Sequence, residues 1–449
     1  MKILKLIQKR WFMPALAALF MTGVLAGCSN NDNTNANDSS DNGDGDEEVS
    51  GEMEIQYFVG GYGDEWWKDV ISDFEDEYPD VEVKQSAGPE INDKMKTRWI
   101  SDDPPDVVYI DGAGITEAQM VDDGQLMDLS DWLDGLETDD GQNLMDSFIM
   151  EPNTYDGKVY GLPLIFDTWG TWYDKALFED KGWDAPEDFD SWMDSMETIK
   201  EDGDMEPFVT TGQYAYYFTR GVLYPAFGAA GGEDLLNDVI DGKEGIWKSD
   251  EVQGVLEKVE EMADKGYIDS GFAGISHTQS QSNFLEHDDA YIPVGFWLPS
   301  EMEGDIPDDF EFGFGPTPMN DKGDDGVMVP DLRPLAIAEE AENPEAAKAF
   351  IQFAFQKEYA KKFSESAGAL LNMEEVDLSE EEDVPDYLKE TNEKINEDEI
   401  NVVNRDHPMA SDMEDPLGDE IVSFLLGESS IDEFTDKAEK ITEDYRNSK

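Results

Sequence analysis

The chain has a single cysteine, Cys28, and three histidines among its 449 residues. With one thiol no intramolecular disulfide can form, so a small disulfide-stapled scaffold is excluded. The histidines His277, His287 and His407 would have to converge from distant positions to bind zinc, and no H-E-x-x-H spacing supports such a site. The sequence therefore offers little for thiol or metal catalysis, and we expect neither a metal nor another cofactor.

Basic residues are also scarce, since 31 lysines and arginines stand against 107 aspartates and glutamates and the formal net charge is −76. A surface of this charge repels nucleic acid and anionic membranes, so both are excluded as partners. The acids are spread along the chain, which indicates adaptation to high salt, where the Debye length falls from about 8 Å to about 3 Å. General disorder is not expected, because 39% of the residues are hydrophobic and 11% are aromatic.

The N-terminus has the pattern of a secretory targeting segment. Four basic residues lie within the first ten, an uncharged apolar run follows from 11 to 24, and Leu25-Ala26-Gly27-Cys28 comes next. The apolar run is too short for a comfortable membrane span. The L-A-G-C pattern resembles a bacterial lipobox, which implies that residues 1–27 are removed and that lipidated Cys28 anchors the protein to the outer face of the cell membrane. A signal peptide with an incidental cysteine is the alternative.

The next segment, residues 28–50, is rich in Asn, Asp and Ser. Such a composition cannot bury enough apolar surface to fold, so a disordered acidic linker is predicted. It would hold a folded body away from a lipid surface.

The folded part begins with a strand, a glycine-rich loop and a helix. Residues 54–59 alternate in polarity, Gly60-Gly61-Tyr62-Gly63 follows, and apolar residues recur at helical spacing from Trp67 to Tyr78. A glycine loop at this point lets backbone N–H groups and Tyr62 approach a ligand closely. The glycines do not follow G-x-G-x-x-G, so the dinucleotide-binding fingerprint is not met.

A buried β-branched strand is predicted from Asp106 to Ile110, and Asp111 comes directly after it. Open α/β sheets bind ligands beyond the carboxyl ends of their strands, so Asp111 is a candidate ligand contact. Capping the turn from Gly112 to Thr116 is an equally good role for its side chain.

The stretch from Tyr155 to Phe178 places an acid among aromatic residues, because Asp167 is followed by Trp169, Trp172 and Tyr173. These groups suit a sugar, since a carboxylate accepts hydrogen bonds from hydroxyl groups and an aromatic ring covers the C–H face. Asp167 and Trp169 are therefore candidate ligand contacts. An edge strand whose aromatic residues lie in the core is the alternative, and this stretch taken by itself favours it.

Two later segments also present aromatic residues beside polar ones. Within residues 207–220 a predicted strand breaks at a glycine, and Tyr214, Tyr217 and Arg220 follow. Tyrosines placed after a strand suit hydroxyl-rich ligands. Within residues 290–302, AYIPVGFWLPSEM, Trp297 stands at a strand end beside a glycine and is expected to face a cleft. A core position is the alternative for these aromatic residues.

In this order the motifs resemble those of the family 1 solute-binding proteins, the carbohydrate-binding proteins that serve ABC importers. YDGKVYGLP followed by WYDKALF is similar to the segment in which that family crosses between its lobes, and PDVV, G-x-W and PEAAKAFI are further matches. The resemblance covers the chain from Gly51 onward. It implies a two-lobed α/β periplasmic-binding-protein fold of type II, ligand contacts from the loop that holds Tyr62, and stacking of Trp297 on a sugar ring.

S-H-T-x-x-Q followed by A-x-I-P-x-G-x-W-L-x-x-E-M, at residues 276–302, is similar to the subgroup that binds N-acetylglucosamine and diacetylchitobiose. The resemblance places Arg333 in the return crossing between the lobes, where it is expected to contact the ligand. Phe296 stands where a small residue is expected, so a narrowed site is predicted. His277 is either a ligand contact or part of a cap or turn.

The resemblance also divides the chain. Residues 51–164 with 332–375 are predicted to form the N-terminal lobe, and residues 165–331 with 376–449 the C-terminal lobe. The crossings near Pro163 and Pro330 are expected to act as hinges, because proline cannot donate to a sheet ladder and suits a crossing better than a central strand.

We therefore expect a binding protein rather than an enzyme, one that holds a sugar or oligosaccharide between its lobes and delivers it to the transmembrane permease subunits of an ABC importer. It is expected to be a monomer, held at the membrane through lipidated Cys28. A lipid-anchored polysaccharide hydrolase or lyase with paired carboxylates is the alternative, since acid pairs arise by chance among 107 acids. A surface adhesin would leave the ordered motifs unexplained.

The charge density implies that folding depends on salt. We expect the melting temperature to rise between low and molar sodium chloride, because salt screens the repulsion among the acids. Thermal unfolding followed by circular dichroism across a sodium chloride series measures the effect. A flat or falling curve would mean that the acids are balanced in some other way.

Overall fold

The computed structural model describes residues 49–405 and 407–448. The predictions for the lipobox, for Cys28 and for nearly all of the linker therefore lie outside the described residues. The strands, in chain order, are β1 (Gly51–Phe58), β2 (Val81–Gly88), β3 (Val107–Tyr109), β4 (Thr154–Tyr155), β5 (Lys158–Val159), β6 (Gly161–Asp167), β7 (Trp169–Asp174), β8 (Glu206–Phe208), β9 (Asp289–Gly295), β10 (Phe312–Gly315), β11 (Gly326–Met328), β12 (Asp331–Ile337), β13 (Leu370–Leu371) and β14 (Ile400–Val402).

Helices surround these strands, and none in the described part has the length and apolar character needed to span a bilayer. The α-helices are α1 (Glu65–Glu77), α2 (Ile91–Ile100), α3 (Glu117–Asp122), α4 (Ser130–Leu133), α5 (Lys175–Lys181), α6 (Phe189–Asp202), α7 (Tyr216–Phe218), α8 (Tyr224–Ile240), α9 (Asp250–Asp264), α10 (His277–Leu285), α11 (Leu298–Glu301), α12 (Pro344–Ala354), α13 (Lys357–Ala367), α14 (Asp386–Asn396), α15 (Ser411–Leu425) and α16 (Ile431–Ser448). A π-helical turn, Thr219–Leu223, joins α7 to α8, and short 3-10 helices cover Leu144–Ser147, Ile246–Lys248, Phe272–Gly274 and Glu303–Asp305.

The predicted helices are confirmed where their apolar spacing is regular. Helix α1 buries five residues on one face and ends before Pro79, which cannot continue a helix. The buried residues of α1 are Trp66, Trp67, Val70, Ile71 and Phe74. The C-terminal part of the chain forms α14, α15 and α16.

In the described part, the first sheet has six strands in the order β13-β6-β12-β3-β1-β2. Strand β1 pairs in parallel with β2 and β3, whereas β12 is antiparallel to its neighbours β3 and β6. A strand that returns late in the chain is thus inserted between strands formed early.

The second sheet has the order β10-β7-β9-β8, with β7 antiparallel to both neighbours. Because β6 ends at Asp167 and β7 begins at Trp169, the chain crosses between the sheets at Thr168. On the return, Pro330 lies between β11 and β12. The lobe boundaries given above remain a prediction, and the first change of sheet falls slightly after the boundary at 164.

Pro163 lies inside β6 and not at the crossing. It is opposite Pro334 of β12, where the register shifts next to Arg333. An irregular register relieves both prolines of the N–H donation that a regular ladder would require, which is how a strand with neighbours on both sides accommodates them.

Asp331, the first residue of β12, connects the two crossings. Its carboxylate is 2% exposed and accepts hydrogen bonds from Trp169 Nε1 at 3.4 Å, Arg220 Nη1 at 3.4 Å and Arg333 Nη2 at 3.3 Å. Arg405 forms a further ion pair with it. Guanidinium groups from three separate segments therefore meet at one buried carboxylate.

We expect Asp331→Ala to lower the free energy of unfolding by about 3–5 kcal/mol, because it removes the buried counter-charge of these arginines. Asp325→Ala, at an exposed position, is the matched control and should change that free energy by less than about 0.5 kcal/mol. Urea unfolding of both variants in molar sodium chloride gives the comparison. Equal stability of the two variants would show that the network does not hold the fold.

Candidate ligand-binding site

The ends of β3 and β6 and the start of β12 lie at one edge of the first sheet and bring Asp111, Asp167 and Arg333 together. Arg333 Nε lies 3.2 Å from Asp111 Oδ1, and Arg333 Nη2 lies 2.9 Å from Asp167 Oδ2. Open α/β sheets bind their ligands at this edge. The guanidinium group thus holds two carboxylates in fixed positions, and each keeps lone pairs for further hydrogen bonds.

Tyr62, in the loop between β1 and α1, extends this network by donating a hydrogen bond to Asp167 Oδ1 at 2.5 Å. Burial raises the pKa of Asp167, while Arg333 and Tyr62 limit the rise. Burial and the neighbouring Asp167 carboxylate hold the pKa of Tyr62 well above its ordinary value, so its hydroxyl stays a donor. Burial lowers the pKa of Arg333, but Asp111 and Asp167 raise it by more, so the guanidinium stays charged.

A cavity of about 350 Å³, named the first cavity here, lies beside the network. Seven of the eight predicted contact residues line it, and they come from both sheets and their connections. They are Tyr62, Asp111, Asp167, Tyr214, Tyr217, Trp297 and Arg333. Their contact with a ligand stays a prediction, but the structure does place them around one space.

Asp111 also has the capping role that the sequence left open. Its Oδ1 accepts a hydrogen bond from the backbone N–H of Gly112 at 2.7 Å. Gly112 has a φ of +81°, and a Cβ there would lie 2.6 Å from the ring of Phe58. Conformation and space therefore both require glycine at this turn. Because Asp111 lines the first cavity as well, the cap does not prevent a ligand contact.

Trp297 follows β9 and lines the first cavity next to the glycine loop. A Cβ on Gly295 would lie 2.0 Å from the indole ring, and a Cβ on Gly61 would lie 2.8 Å from Trp297 Cβ. Glycine is thus required on both sides of the tryptophan by close approach. Since Gly61 follows β1 of the first sheet and Trp297 follows β9 of the second, their contact joins the two halves of the molecule at the cavity.

Trp169 is the eighth predicted residue, and it is not among the described residues that line the first cavity. It is 2% exposed and packs edge-on against Trp297 and Tyr217, with ring centroids 4.7 and 5.1 Å apart. Trp297 and Tyr217 belong to the aromatic wall of the first cavity, and Trp169 packs behind them. A direct contact between Trp169 and a ligand would need this packing to open.

Phe296 does not narrow the site, and that expectation was wrong. Its side chain is fully buried and its ring packs against those of Trp172, Phe314 and Tyr387. Trp297, the next residue, faces the first cavity instead. Adjacent residues at a strand end point to opposite sides, so Phe296 belongs to the core.

His277 lines the first cavity, with Nε2 3.4 Å from Glu301 Oε1. The capping role considered for it belongs to Ser276, whose side chain accepts from the backbone N–H of Gln279 at the start of α10. Glu301 also lines the cavity and was not identified from the sequence. The available signal is its position one helical turn after Trp297, which places both on one side of the chain.

The three histidines do not converge on one site. His287 Nε2 lies 2.8 Å from Asp174, and His407 Nε2 lies 2.9 Å from Asp241, both apart from His277 in the first cavity. Over residues 49–405 and 407–448, no group of three or more His, Cys, Asp or Glu side chains has the arrangement of a metal site.

A second cavity, of about 400 Å³, adjoins the first through Asp111 and Arg333, which line both. Glu117 from α3 lines it as well, with Arg220 from the π-helical turn and Arg405 from the segment before α15. The sequence placed Arg220 beside the tyrosines, but Glu117 and Arg405 were not identified. The scarcity of arginine was a signal in the composition that could have pointed to Arg405, because the chain has only six arginines and three of them line this cavity.

The family model of bacterial extracellular solute-binding proteins matches residues 60–361. The chain belongs to this family. It is 23% identical to the diacetylchitobiose-binding protein NgcE of Streptomyces coelicolor over 323 residues, 70% of this chain and 68% of that protein. The multiple sugar-binding protein of Streptococcus mutans is 25% identical over 308 residues, 65% of this chain and 69% of that protein.

The fold of this solute-binding protein is also similar to solved structures. The apo form of RafE from Streptococcus pneumoniae superimposes with a TM-score of 0.70 at 23% identity, covering 88% of this chain and 97% of that one. The likeness confirms the two-lobed α/β fold. The family is one of extracellular binding proteins, so the chain acts outside the cytoplasm and its relatives bind solutes rather than transform them.

Glu117 of this solute-binding protein is an unusual buried acid. It is 7% exposed, and its Oε2 accepts hydrogen bonds from Asn153 Nδ2 at 2.9 Å and Tyr155 Oη at 3.2 Å. Its Oε1 is buried without a hydrogen-bond partner among the described residues. Burial raises the pKa of Glu117 from 4.5 to about 7, against the effect of these two hydrogen bonds.

The stability of the protein should therefore depend on the ionisation of Glu117. A carboxyl whose pKa is raised by folding contributes stability that is complete below its unfolded value of 4.5 and is lost as the pH rises through about 7. We expect Glu117→Gln to remove this loss, so its melting temperature falls less than that of the wild type from about pH 5 to about pH 8. Calorimetry across this range measures both.

Glu257→Gln, at an exposed position on α9, is the control and should follow the wild type. Parallel curves for the wild type and Glu117→Gln would contradict the assignment of a raised pKa to Glu117.

Proposed function

We propose that this protein is the substrate-binding component of a carbohydrate ABC importer, and that it captures a sugar in the first cavity. One observation carries the proposal: the carboxylates of Asp111 and Asp167, fixed by Arg333, share a cavity of about 350 Å³ with an aromatic wall that includes Trp297. Carboxylates accept hydrogen bonds from sugar hydroxyls, and aromatic rings cover the apolar face of the sugar. The volume lies near the lower end of the roughly 300–1,000 Å³ range of small-molecule sites.

Asp167 is proposed as the central acceptor for sugar hydroxyl groups. Its two oxygens already accept from Tyr62 and Arg333, so the carboxylate is oriented before a ligand arrives. A site ordered in advance loses little conformational entropy on binding, which favours affinity. Asp111, Tyr214 and Tyr217 would supply further polar contacts.

The two lobes are proposed to close over the sugar by bending at the crossings, Thr168 and the segment at Pro330. The contact between Gly61 and Trp297 would form at the end of this movement, because it joins the loop after β1 to the segment after β9. The closed protein, acting as a monomer, would then dock on the transmembrane permease subunits and release the sugar to them.

N-acetylglucosamine or diacetylchitobiose is the proposed sugar. The motif at residues 276–302 supports it, and so does the relative NgcE, which is described as a diacetylchitobiose-binding protein. The similarity to a multiple sugar-binding protein leaves other sugars open, and maltose-type sugars are the comparison to test.

A hydrolase with paired carboxylates needs one carboxyl group to act as the acid and the other as the base or nucleophile. In this site Asp111 and Asp167 are both bound to Arg333, which favours fixed acceptors over groups that exchange protons. Calorimetric titration with these sugars, with a product assay alongside, tests the proposal. Binding without turnover is expected, and turnover by the wild type would contradict it.

Trp297→Ala tests the role of the aromatic wall. A stacked tryptophan should contribute at least about 2 kcal/mol, so sugar affinity should fall roughly thirtyfold while the melting temperature in high salt stays near normal. Trp183→Ala, which removes a half-buried tryptophan outside the described lining of both cavities, is the control and should bind like the wild type. A stable Trp297→Ala protein with unchanged affinity would show that Trp297 is not the stacking platform.

We further propose that Cys28 is lipidated and anchors the protein to the outer face of the cell membrane. Residues 28–50 would then form the linker between this anchor and the folded body. Adaptation to high salt is proposed as well, from the net charge of −76.

Cys28→Ala should move the protein from the membrane fraction to an unprocessed or soluble form, because each buried methylene of the lost lipid contributes about 0.8 kcal/mol to membrane binding. Cell fractionation and the mass of the mature chain measure the change, and Ser29→Ala is the control. Unchanged fractionation with unchanged mass would contradict the proposal that Cys28 is the lipidated residue.

A further inference from the structure

Arg220 stands on the π-helical turn, Thr219–Leu223, between α7 and α8. Turns of this kind depart from the α-helical hydrogen-bond pattern and are frequent at functional sites. The turn is fitted closely to the second sheet, because a Cβ on Gly221 would lie 2.8 Å from Pro293 Cβ of β9. Thr317 Oγ1 donates a hydrogen bond to the carbonyl oxygen of Gly221 at 2.5 Å. The backbone that carries Arg220 is therefore held in one place.

The edges of the Arg220 guanidinium are bound to two acids. Its Nε and Nη2 donate to the carboxylate of Glu414 on α15 at 3.1 and 3.0 Å, and its Nη1 donates to Asp331 at 3.4 Å. The Glu414 side chain is 13% exposed and the Asp331 side chain 2%. An arginine that binds one carboxylate through two N–H groups is fixed in its plane as well as its position. Because the shorter pair of bonds goes to Glu414, α15 sets the orientation of the guanidinium.

The flat face of the same guanidinium covers an aromatic ring of the first cavity. Arg220 Cζ lies 4.9 Å from the ring centroid of Tyr216, and Tyr216 lines that cavity. A cation over a ring face is attracted by the ring, and more strongly where water is excluded. The rings of Trp169, Tyr214 and Tyr217 also surround Tyr216, with centroids 6.3, 6.1 and 5.1 Å away. Arg220 thus contacts the aromatic wall of the first cavity at Tyr216.

From this geometry we infer that Arg220 and Glu414 form a positioning pair for sugar capture. Glu414 orients the guanidinium of Arg220, and Arg220 fixes the ring of Tyr216 in the wall of the first cavity. The inference rests on the proposed function, because it assigns the groups that hold the wall at which the sugar is captured. A ring held in place before binding loses less conformational freedom when the ligand arrives, so the pair raises affinity without touching the ligand.

A direct contact between Arg220 and a ligand is the alternative, because Arg220 lines the second cavity. The two roles predict different results. If Arg220 acts through Tyr216, removal of that ring should also remove the effect of substituting Arg220, whereas a direct contact would act independently of the ring. Glu414 is outside the described lining of both cavities, so a loss of affinity on its substitution would not come from a lost ligand contact there.

Calorimetric titrations in molar sodium chloride with N-acetylglucosamine, diacetylchitobiose and maltose test the inference. Arg220→Lys keeps the positive charge but loses the planar fork and its flat face. Glu414→Gln keeps the size of the side chain but loses the charge that orients the guanidinium. Each substitution is made in the wild type and in Tyr216→Leu, which removes the ring on which the pair acts.

Two controls match these substitutions. Arg98→Lys changes an arginine that is likewise paired with two acids, Glu54 and Asp103. Glu420→Gln changes a glutamate on α15 that is likewise ion-paired, in this case with Lys437. Both controls lie outside the described lining of the two cavities.

We expect the affinity for the sugar that the wild type binds most tightly to fall at least about fivefold in Arg220→Lys and in Glu414→Gln. The two controls should change it by less than about twofold. In Tyr216→Leu the same two substitutions should change the remaining affinity by less than about twofold, because they act through the lost ring. Glu414→Gln leaves every lining group in place, so it decides the case if Arg220→Lys does not fold.

Equal losses with and without the ring of Tyr216 would overturn the positioning role and leave sugar capture by the first cavity intact. Lower melting temperatures with unchanged affinity would show that Arg220 and Glu414 only support the fold, and this would overturn the inference as well. Absence of binding of all three sugars by the wild type would overturn the proposed function and this inference with it.

Discussion

The cleft between the lobes depends on the ion pairs that the guanidinium group of Arg333 forms with three carboxylates. It lies 3.2, 2.9 and 3.3 Å from Asp111, Asp167 and Asp331. Carboxylates this close in a buried place repel one another, and without a shared cation at least one would take up a proton. In a chain with 107 acids and 31 bases, Arg333 therefore keeps Asp111 and Asp167 in place beside the first cavity, where a ligand can reach them.

The same group of charges links binding to architecture. Asp331 stands at the start of the returning strand and is also paired with Arg405 and with Arg220, whose π-helical turn packs against β7 and β9 of the second sheet. A ligand that enters beside Arg333 thus touches the network that holds the two halves together. Buried pairs of this kind are screened by salt much less than surface charges, which suits a protein whose exterior is dominated by acids.

Features set by local pattern could be predicted from the sequence, and features set by long-range pairing could not. The position of Asp111 just after β3 and the turn that presents Trp297 follow from the apolar pattern and glycine placement, which are local. Pro163 was misplaced because its tolerance depends on an irregular register with β12, a strand far along the chain. Arg405 was missed for the same reason, since its ion pair with Asp331 depends on how the C-terminal segments pack.

A crystal structure of the protein with a bound sugar tests the central claim most directly. The account predicts a sugar in the first cavity, with its ring face against Trp297 and its hydroxyl groups within hydrogen-bond distance of Asp111 and Asp167, whose positions around Arg333 stay unchanged. A sugar bound at another surface, or one in this cavity that contacts neither carboxylate, would contradict it.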